Sequence, residues 1–490
     1  MPLPPGRKVV SCKWLCKHKL NDAGDVVRFK ARLVARGFSQ VYGMDYLDTF
    51  APVTKLASIR ILLAIAAVED LEIHQMDVVM AFLLGDLDEE IYMEQPEGFT
   101  KVDDEGQQLV CKLNKGLYGL KQSARNWYKK LRGFLESIGF VRLYSDHCIY
   151  FNADTGVIIA VWVDDLIILA KEMKEMDCVK EQLRKQFEIK DLGELEYFLG
   201  IRVIRDRVNR RIHINQSGYI NSVLERFGML DSNPVANPIA TGTVLKKATD
   251  NDALVEQQYY QSIVGSLMYA MLGTRPDIGY AESQLSQFNS NPNTTHLNIA
   301  KHVLKYLNGA SDLGITYGDG TDKLLMEAYC DADHGTSEDR KSISGIVHIL
   351  AGGPVSYQSK KQSSIATSST EAEYMALLFA TKETIWINRL LGKLGRVAEN
   401  GNIIREDNQG AIALAHNPEY HARIKHIDIQ YHFVRECVEK GLIELQYCST
   451  KDMIADVLTK ALARDRHREL ISKMGMESIV QFKSGSVVAS

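Results

Sequence analysis

No run of about 18 uncharged apolar residues occurs in this 490-residue chain, which excludes a transmembrane helix by composition. The opening Met1–Gly6 (MPLPPG) has no signal-peptide apolar region, so the chain is expected to stay inside the cell. Eight cysteines are scattered without C-x-x-C spacing, which argues against a zinc ribbon or a disulfide framework and leaves reduced, structural thiols. Strong charge of either sign is also lacking. The formal net charge of −4 argues mildly against a dedicated nucleic-acid binder, although a global sum hides local asymmetry. Neither an internal repeat nor a low-complexity tract is present. What remains is 45% hydrophobic and 24% charged residues, the composition of a globular chain long enough for roughly two to four domains.

The most informative segment joins two apolar runs, Val157–Val163 and Leu166–Ala170, through Asp164-Asp165. Strand-forming residues around a polar pair predict a tight β-hairpin. Adjacent carboxylates on a buried scaffold repel unless a cation neutralises them, while an ordinary Asp-containing turn is the plain alternative. A second asymmetry lies at the start. Between Met1 and Gly43, nine basic residues (Arg7, Lys8, Lys13, Lys17, Lys19, Arg28, Lys30, Arg32, Arg36) face only Asp22 and Asp25. Residues 8–36 read as a basic hairpin around Asn21–Gly24, suited either to phosphates or simply to solvent.

The rest of the chain follows from periodicity and turn signals. A helix is expected at Leu56–Asp70, a strand at Leu71–Met76 ending on Asp77, and a helix over 116–139 carrying Trp127, Tyr128, Leu131 and Phe134. Residues 172–205 read as a helix followed by strands, one of them Tyr197–Ile201. The Pro- and Asn-rich stretch 230–255 reads as a connector, and 257–309 as mostly helical. A new α/β unit is expected from about Asp322, with strands at 324–330, 343–350 and 354–358 and helices after Ser368, Asp407 and Ile454. From about Arg464 the chain reads as weakly structured.

Asp77 ends one strand and Asp164-Asp165 cap a hairpin, so pairing those strands gathers three carboxylates at one sheet edge. An all-oxygen set of this kind suits Mg²⁺ completed by substrate phosphates. The ordered motifs Lys30–Gly37 (KARLVARG), Gln75–Val78 (QMDV), Ala81–Leu83 (AFL), Glu90–Met93 (EIYM), Gln95–Phe99 (QPEGF), Leu117–Gln122 (LYGLKQ) and Val163–Asp165 (VDD) resemble the reverse transcriptase of copia-type LTR retrotransposon Pol polyproteins. The resemblance runs from about Leu3 to Leu462.

It implies an α+β protein: a right-hand polymerase with fingers and palm over 1–230, a helical thumb or connection over 231–321, an RNase H-like domain over 322–463, and a tail over 464–490. It further implies that Asp77, Asp164 and Asp165 hold two Mg²⁺ ions, with Mn²⁺ as the alternative, and that Lys30 and Arg32 grip the triphosphate. Val78 would present its backbone, Phe82 would gate the sugar, and Tyr118-Gly119 would line the nucleotide pocket. A core aromatic is the other reading of Phe82. Phe198–Gly200 resembles the primer grip. The chain departs from the family at Trp162, usually Tyr, and at Val79-Met80, usually polar; Leu84 and Ala124 depart as well.

A second set, Tyr329–Asp333 (YCDAD), Ser368–Tyr374 (SSTEAEY), Glu406–Gln409 (EDNQ) and Ile454–Asp456 (IAD), resembles the family's RNase H domain. Asp331, Glu371, Asp407 and Asp456 are its implied metal-binding acids. Each has a plainer reading: Glu371 completes a capping box with Ser368, and Asp456 suits a helix start. Asp333 is the alternative to Asp331. His421, His426 and His432 also match the family, but zinc lacks a fourth ligand at convincing spacing, which leaves packing or a substrate-facing loop.

The resemblance therefore implies an RNA-directed DNA polymerase with RNase H activity. Its partners would be an RNA template, a DNA primer, the RNA–DNA hybrid and dNTPs, with no membrane, and with self-association or other Pol segments as further contacts. A cytoplasmic virus-like particle and the nucleus are the implied locations. No protease or integrase signature is legible, so the chain is expected to be the C-terminal piece of a polyprotein or a truncated copy. The contrasting expectations are an inactive relic that only binds nucleic acid and a lone RNase H with a passive N-terminal half.

Overall fold

The computed structural model describes residues 1–20, 25–250, 252–318, 320–321, 323–335, 338–399, 401–416 and 428–485. These form a mixed α/β fold of two compact units, one of Met1–Thr54 with Glu72–Glu194, the other of Lys55–Leu71 with Leu195–Ser490. Among the described residues no helix is long and apolar enough to cross a membrane.

In the first unit a six-stranded sheet runs in the order Ile189–Glu194, Glu72–Val78, Asp165–Ala170, Ile158–Trp162, Ile149–Phe151, Val141–Arg142. Alternation along its strands decides which face meets the core. Met76, Val78, Leu166, Ile168, Ile159 and Val161 pack with Trp127, Leu131 and Leu135 of helix Ser123–Ser137 and Met176, Val179 and Leu183 of helix Met173–Gln186. The odd-numbered Gln75, Asp77 and Asp165 therefore stand on the face away from both helices. Separately, Cys12–Leu20 pairs antiparallel with Val26–Ala35 as the expected basic hairpin, whose expected turn at Asn21–Gly24 lies outside the described residues.

Helix Ser123–Ser137 starts later than the expected 116. The cause is Gly119, whose φ of +91° no helix accommodates. A Cβ there would lie 2.0 Å from the Ala35 carbonyl oxygen, and the Ala35 N–H donates to the Tyr118 carbonyl at 2.8 Å. Only glycine permits the basic hairpin to dock so closely.

In the second unit, helix Leu56–Glu69 is apolar nearly all round and buried from Ser58 to Val68, as such helices must be. Tyr197–Ile201 is not one strand. Leu199 and Gly200 take φ of +51° and +70°, turning the chain so that Tyr197–Phe198 pairs with Ile201–Asp206 as a hairpin. Helices Gln257–Gly273, Gly279–Ser286 and Thr294–Gly309 share one apolar core. A five-stranded sheet follows in the order Gly353–Lys361, Ile343–Leu350, Met326–Ala332, Ile403–Glu406, Glu444–Tyr447, antiparallel on one side and parallel on the other. Helix Ser369–Lys393 packs on it.

Two expectations fail here. After Ile454 the chain forms a 3₁₀ turn, Ile454–Leu458, not an α-helix. The tail is also ordered: helix Arg464–Lys473 buries Leu470 and Ile471, and Met476–Ser478 pairs with Leu313–Tyr317 as an added strand. The apolar residues are too few per turn to read as periodic, and the strand exists only because a distant edge accepts it.

Candidate functional site

Asp77 and Asp165 are direct partners in the antiparallel ladder between Glu72–Val78 and Asp165–Ala170. Asp164 occupies the two-residue turn joining Ile158–Trp162 to Asp165–Ala170, and its carbonyl accepts from the Val78 N–H at 3.0 Å. Val163 precedes it with φ +59°, a conformation that costs a β-branched residue about 1–3 kcal/mol. The Trp127 indole N–H holds it by donating to the Val163 carbonyl at 2.6 Å. Gln75 donates to Asp165 Oδ1 at 3.1 Å.

Burial raises the Asp164 carboxyl above its ordinary range; Asp77 adds to the rise, while Arg32 and Lys30 oppose it. Burial likewise raises Asp165, with Gln75 opposing and Asp164 and Asp77 reinforcing. Asp77, Asp164, Val78, Lys30, Arg32 and Tyr118 line one cleft of about 440 Å³. The Arg32 guanidinium lies over the Tyr118 ring, 5.1 Å from its centroid, and Phe82 meets the same ring edge-on at 5.2 Å. Asp165, Phe82 and Gly119 are not among the residues that line this cleft: Asp165 is the ladder partner of Asp77 and Phe82 packs on Tyr118, both of which do line it, whereas Gly119 lies against Ala35, which does not. The sequence assigns no site role to Gln75, Trp127 or Lys190, the last of which also lines the cleft as the ladder partner of Asp77; the alternation Gln75-x-Asp77 is the available signal for the first.

The second cluster differs from the expected set of Asp331, Glu371, Asp407 and Asp456 at two residues: Glu373 stands in place of Glu371, and Asp456 is not among the three acids that converge. Asp331, Glu373 and Asp407 bring carboxylate oxygens within 4.8 Å of one another; Glu371 does not join them. The Glu371 carboxylate accepts from the Thr367 N–H at 2.7 Å and the Thr367 hydroxyl at 2.6 Å, and its own N–H donates to Ser368 Oγ at 3.2 Å. Helix-start capping accounts for it. Glu373 instead accepts from the Ala332 N–H at 2.7 Å, beside the strand end that carries Asp331.

Asp456 lies nearby, joined to Asp331 through Lys460, whose ammonium is 2.6 Å from Asp456 Oδ1 and 3.1 Å from Asp331 Oδ1. Asp333 accepts from the Ile343 N–H and is engaged in the sheet. Burial drives Asp331 up to about 6 despite Lys460, and burial with Glu406, Asp331 and Asp407 drives Glu373 up to about 10. Hard oxygen donors disfavoured as free anions are a fitting set for a divalent cation. Strand Ile403–Glu406 forms although Arg405 and Glu406 are charged, because Arg405 pairs with Glu327 at 2.5 Å and Glu406 accepts from Cys330 Sγ at 3.1 Å. His421 and His426 lie outside the described residues. Among the described residues the metal-competent group is the carboxylate one, without His432.

The family profile described as "Reverse transcriptase (RNA-dependent DNA polymerase)" matches residues 1–241, which contain the entire first cluster. The chain is 42% identical over 485 residues to a retrovirus-related Pol polyprotein from transposon TNT 1-94 of Nicotiana tabacum, covering 97% of this chain and 36% of that protein. It is 38% identical over 304 residues to a putative transposon Ty5-1 protein of Saccharomyces cerevisiae, covering 61% of this chain and 97% of that one. A foamy viral protease-reverse transcriptase in complex with double-stranded DNA aligns over 86% of this chain and 63% of that chain, at TM-score 0.47 and 12% identity, too distant to carry an argument. The chain thus belongs to the reverse transcriptase family, and within it to the Pol polyproteins of copia-type retrotransposons. It spans about a third of the length of the plant polyproteins it matches.

Proposed function

We propose that the chain is an RNA-directed DNA polymerase with RNase H activity. In this reading residues 1–230 supply fingers and palm, the helices within 231–321 act as thumb and connection, and 322–463 forms the RNase H-like domain. The observation that carries the reading is the ladder pairing of Asp77 with Asp165, with Asp164 fixed to Val78, opposite Arg32 and Lys30 across one cleft.

Asp77, Asp164 and Asp165 would hold Mg²⁺, and Asp331, Glu373, Asp407 and Asp456 a second set. When bound, such ions lower the pKa of the attacking oxygen and neutralise charge on the leaving one. Arg32 offers a planar fork and Lys30 a point charge to a triphosphate, Val78 and Tyr118 floor the pocket, and Phe82 buttresses Tyr118 where the sugar would sit. The hairpin turn at Leu199-Gly200, whose Leu199 carbonyl accepts from the Tyr269 hydroxyl at 2.5 Å, suits a primer contact.

Primer extension on poly(rA)/oligo(dT) with Mg²⁺ tests the polymerase. Folded protein that makes no product, with Asp164→Asn indistinguishable from it, overturns the reading. Trp162, the ladder partner of Asp165, favours a second reading, a relic that binds hybrid without turnover. Salt-sensitive hybrid binding with neither synthesis nor cleavage would establish that reading.

A further inference from the structure

Resting on the reading of Asp331, Glu373, Asp407 and Asp456 as a metal centre, we propose that Lys460 is its internal counter-cation, occupying the Asp331–Asp456 side until a divalent ion expels it. Three observations support this. The ammonium bridges one oxygen of each acid, at 3.1 and 2.6 Å. Those acids are almost wholly buried, with side-chain exposures of 1% and 6%, whereas Lys460 retains 38%, so its head can withdraw to solvent without opening the core. Lys460 also lies four residues after Asp456, its backbone N–H donating to the Asp456 carbonyl at 3.0 Å, with its ammonium on a flexible four-carbon stem. Among the described residues Arg466 also faces Asp456, at 3.8 Å, and it is tied to the Lys451 and Thr450 carbonyls and to Glu469.

Two buried carboxylates need a cation between them, and lysine meets that need in the metal-free protein. Mg²⁺ seeks the same oxygens at about 2.1 Å, so ammonium and metal exclude each other on this side. The Asp331–Glu373–Asp407 side carries no such bridge from Lys460. The centre therefore admits its two ions unequally: one enters beside Lys460, and the other must displace it.

Mn²⁺ titration of the full chain, followed by electron paramagnetic resonance, tests this, with Asp77→Asn and Asp164→Asn in every sample to silence the first cluster. Lys460→Met should tighten the weaker ion about tenfold or more by removing a competing unit charge at contact distance, leaving the tighter ion nearly unchanged. Lys460→Gln, which keeps a donor for both carboxylates, should do the same and serves if the Met variant does not fold. Unchanged or weakened Mn²⁺ binding in both variants overturns the proposal. So does loss of hybrid binding at unaltered Mn²⁺ affinity, which would assign the lysine to substrate phosphates. Mn²⁺ binding indifferent to Glu373→Gln would instead overturn the metal-centre reading, and the proposal with it.

Discussion

Trp127 donates its indole N–H to the Val163 carbonyl at 2.6 Å, so a core tryptophan fixes the strained residue that aims Asp164 into the cleft. Trp127→Phe keeps most of the packing and deletes the bond. It should lower unfolding free energy by about 1–3 kcal/mol in urea melts and depress primer extension by more than that loss of folded protein accounts for. Extension tracking the folded fraction alone would show that the turn does not depend on this bond.

Asp164→Asn removes a carboxylate that burial and Asp77 already disfavour. Extension should fall at least about a hundredfold, since a ligand is lost where charge must be stabilised, while metal-free thermal stability holds or rises. A clear drop in melting temperature would mean that the acid is structural.

Glu373→Gln should abolish hybrid cleavage, while Glu371→Gln retains it within a few-fold and costs about 1 kcal/mol through weakened bonds to Thr367. Gel assays on a labelled RNA–DNA hybrid separate the two. The reverse ranking would restore Glu371 as the acting residue.

Stability in chelator should fall as pH rises. Asp331 and Glu373 have folded pKa values raised by burial, to about 6 and about 10, above an unfolded value of about 4. Their stabilising contribution is therefore complete below about pH 4 and is lost as pH climbs through 6 toward 10. Melting temperatures read from pH 6 to 9 should show the decline, and Mg²⁺ or Glu373→Gln should lessen it without abolishing it, because burial also raises Glu406 to about 8 and Glu282 to about 7. A slope identical with and without Mg²⁺ would contradict the cation assignment.

Arg275 and Asp277 form a fully buried ion pair at 2.7 Å, with the Tyr306 hydroxyl donating to Asp277 at 2.7 Å and the tail's His467 packed edge-on against Tyr306. Asp277→Ala strands a buried guanidinium and should cost about 3–5 kcal/mol, visible in chemical denaturation. A loss under about 1 kcal/mol would mean that water or another acid replaces the partner.

Much of this was legible in the chain itself. Two continuous apolar runs broken only by Asp164-Asp165 specified a hairpin, and Ile158–Val161 and Leu166–Ala170 are indeed buried on both faces of the sheet. The ordered motifs from Lys30 to Asp165 pointed to the family and to the first cluster's residues. The ordered tail was not legible, since Met476–Ser478 is a strand only because Leu313–Tyr317 offers it an edge. Nor was the turn at Leu199, where a non-glycine residue adopts a positive φ that propensity disfavours.

By itself the sequence determined the strands and hairpin around the first acid cluster, the strand that bears Asp331 and the helix that bears Glu373, the basic character of the N-terminal hairpin, and the family. Only the tertiary structure placed Glu373, and not Glu371, beside Asp331 and Asp407. Every residue from Glu371 to Leu378 is buried, so no amphipathic period distinguished them. The choice rests on which carboxylate a helix, docked at one fixed rotation on the sheet, turns toward the ends of the strands bearing Asp331 and Asp407.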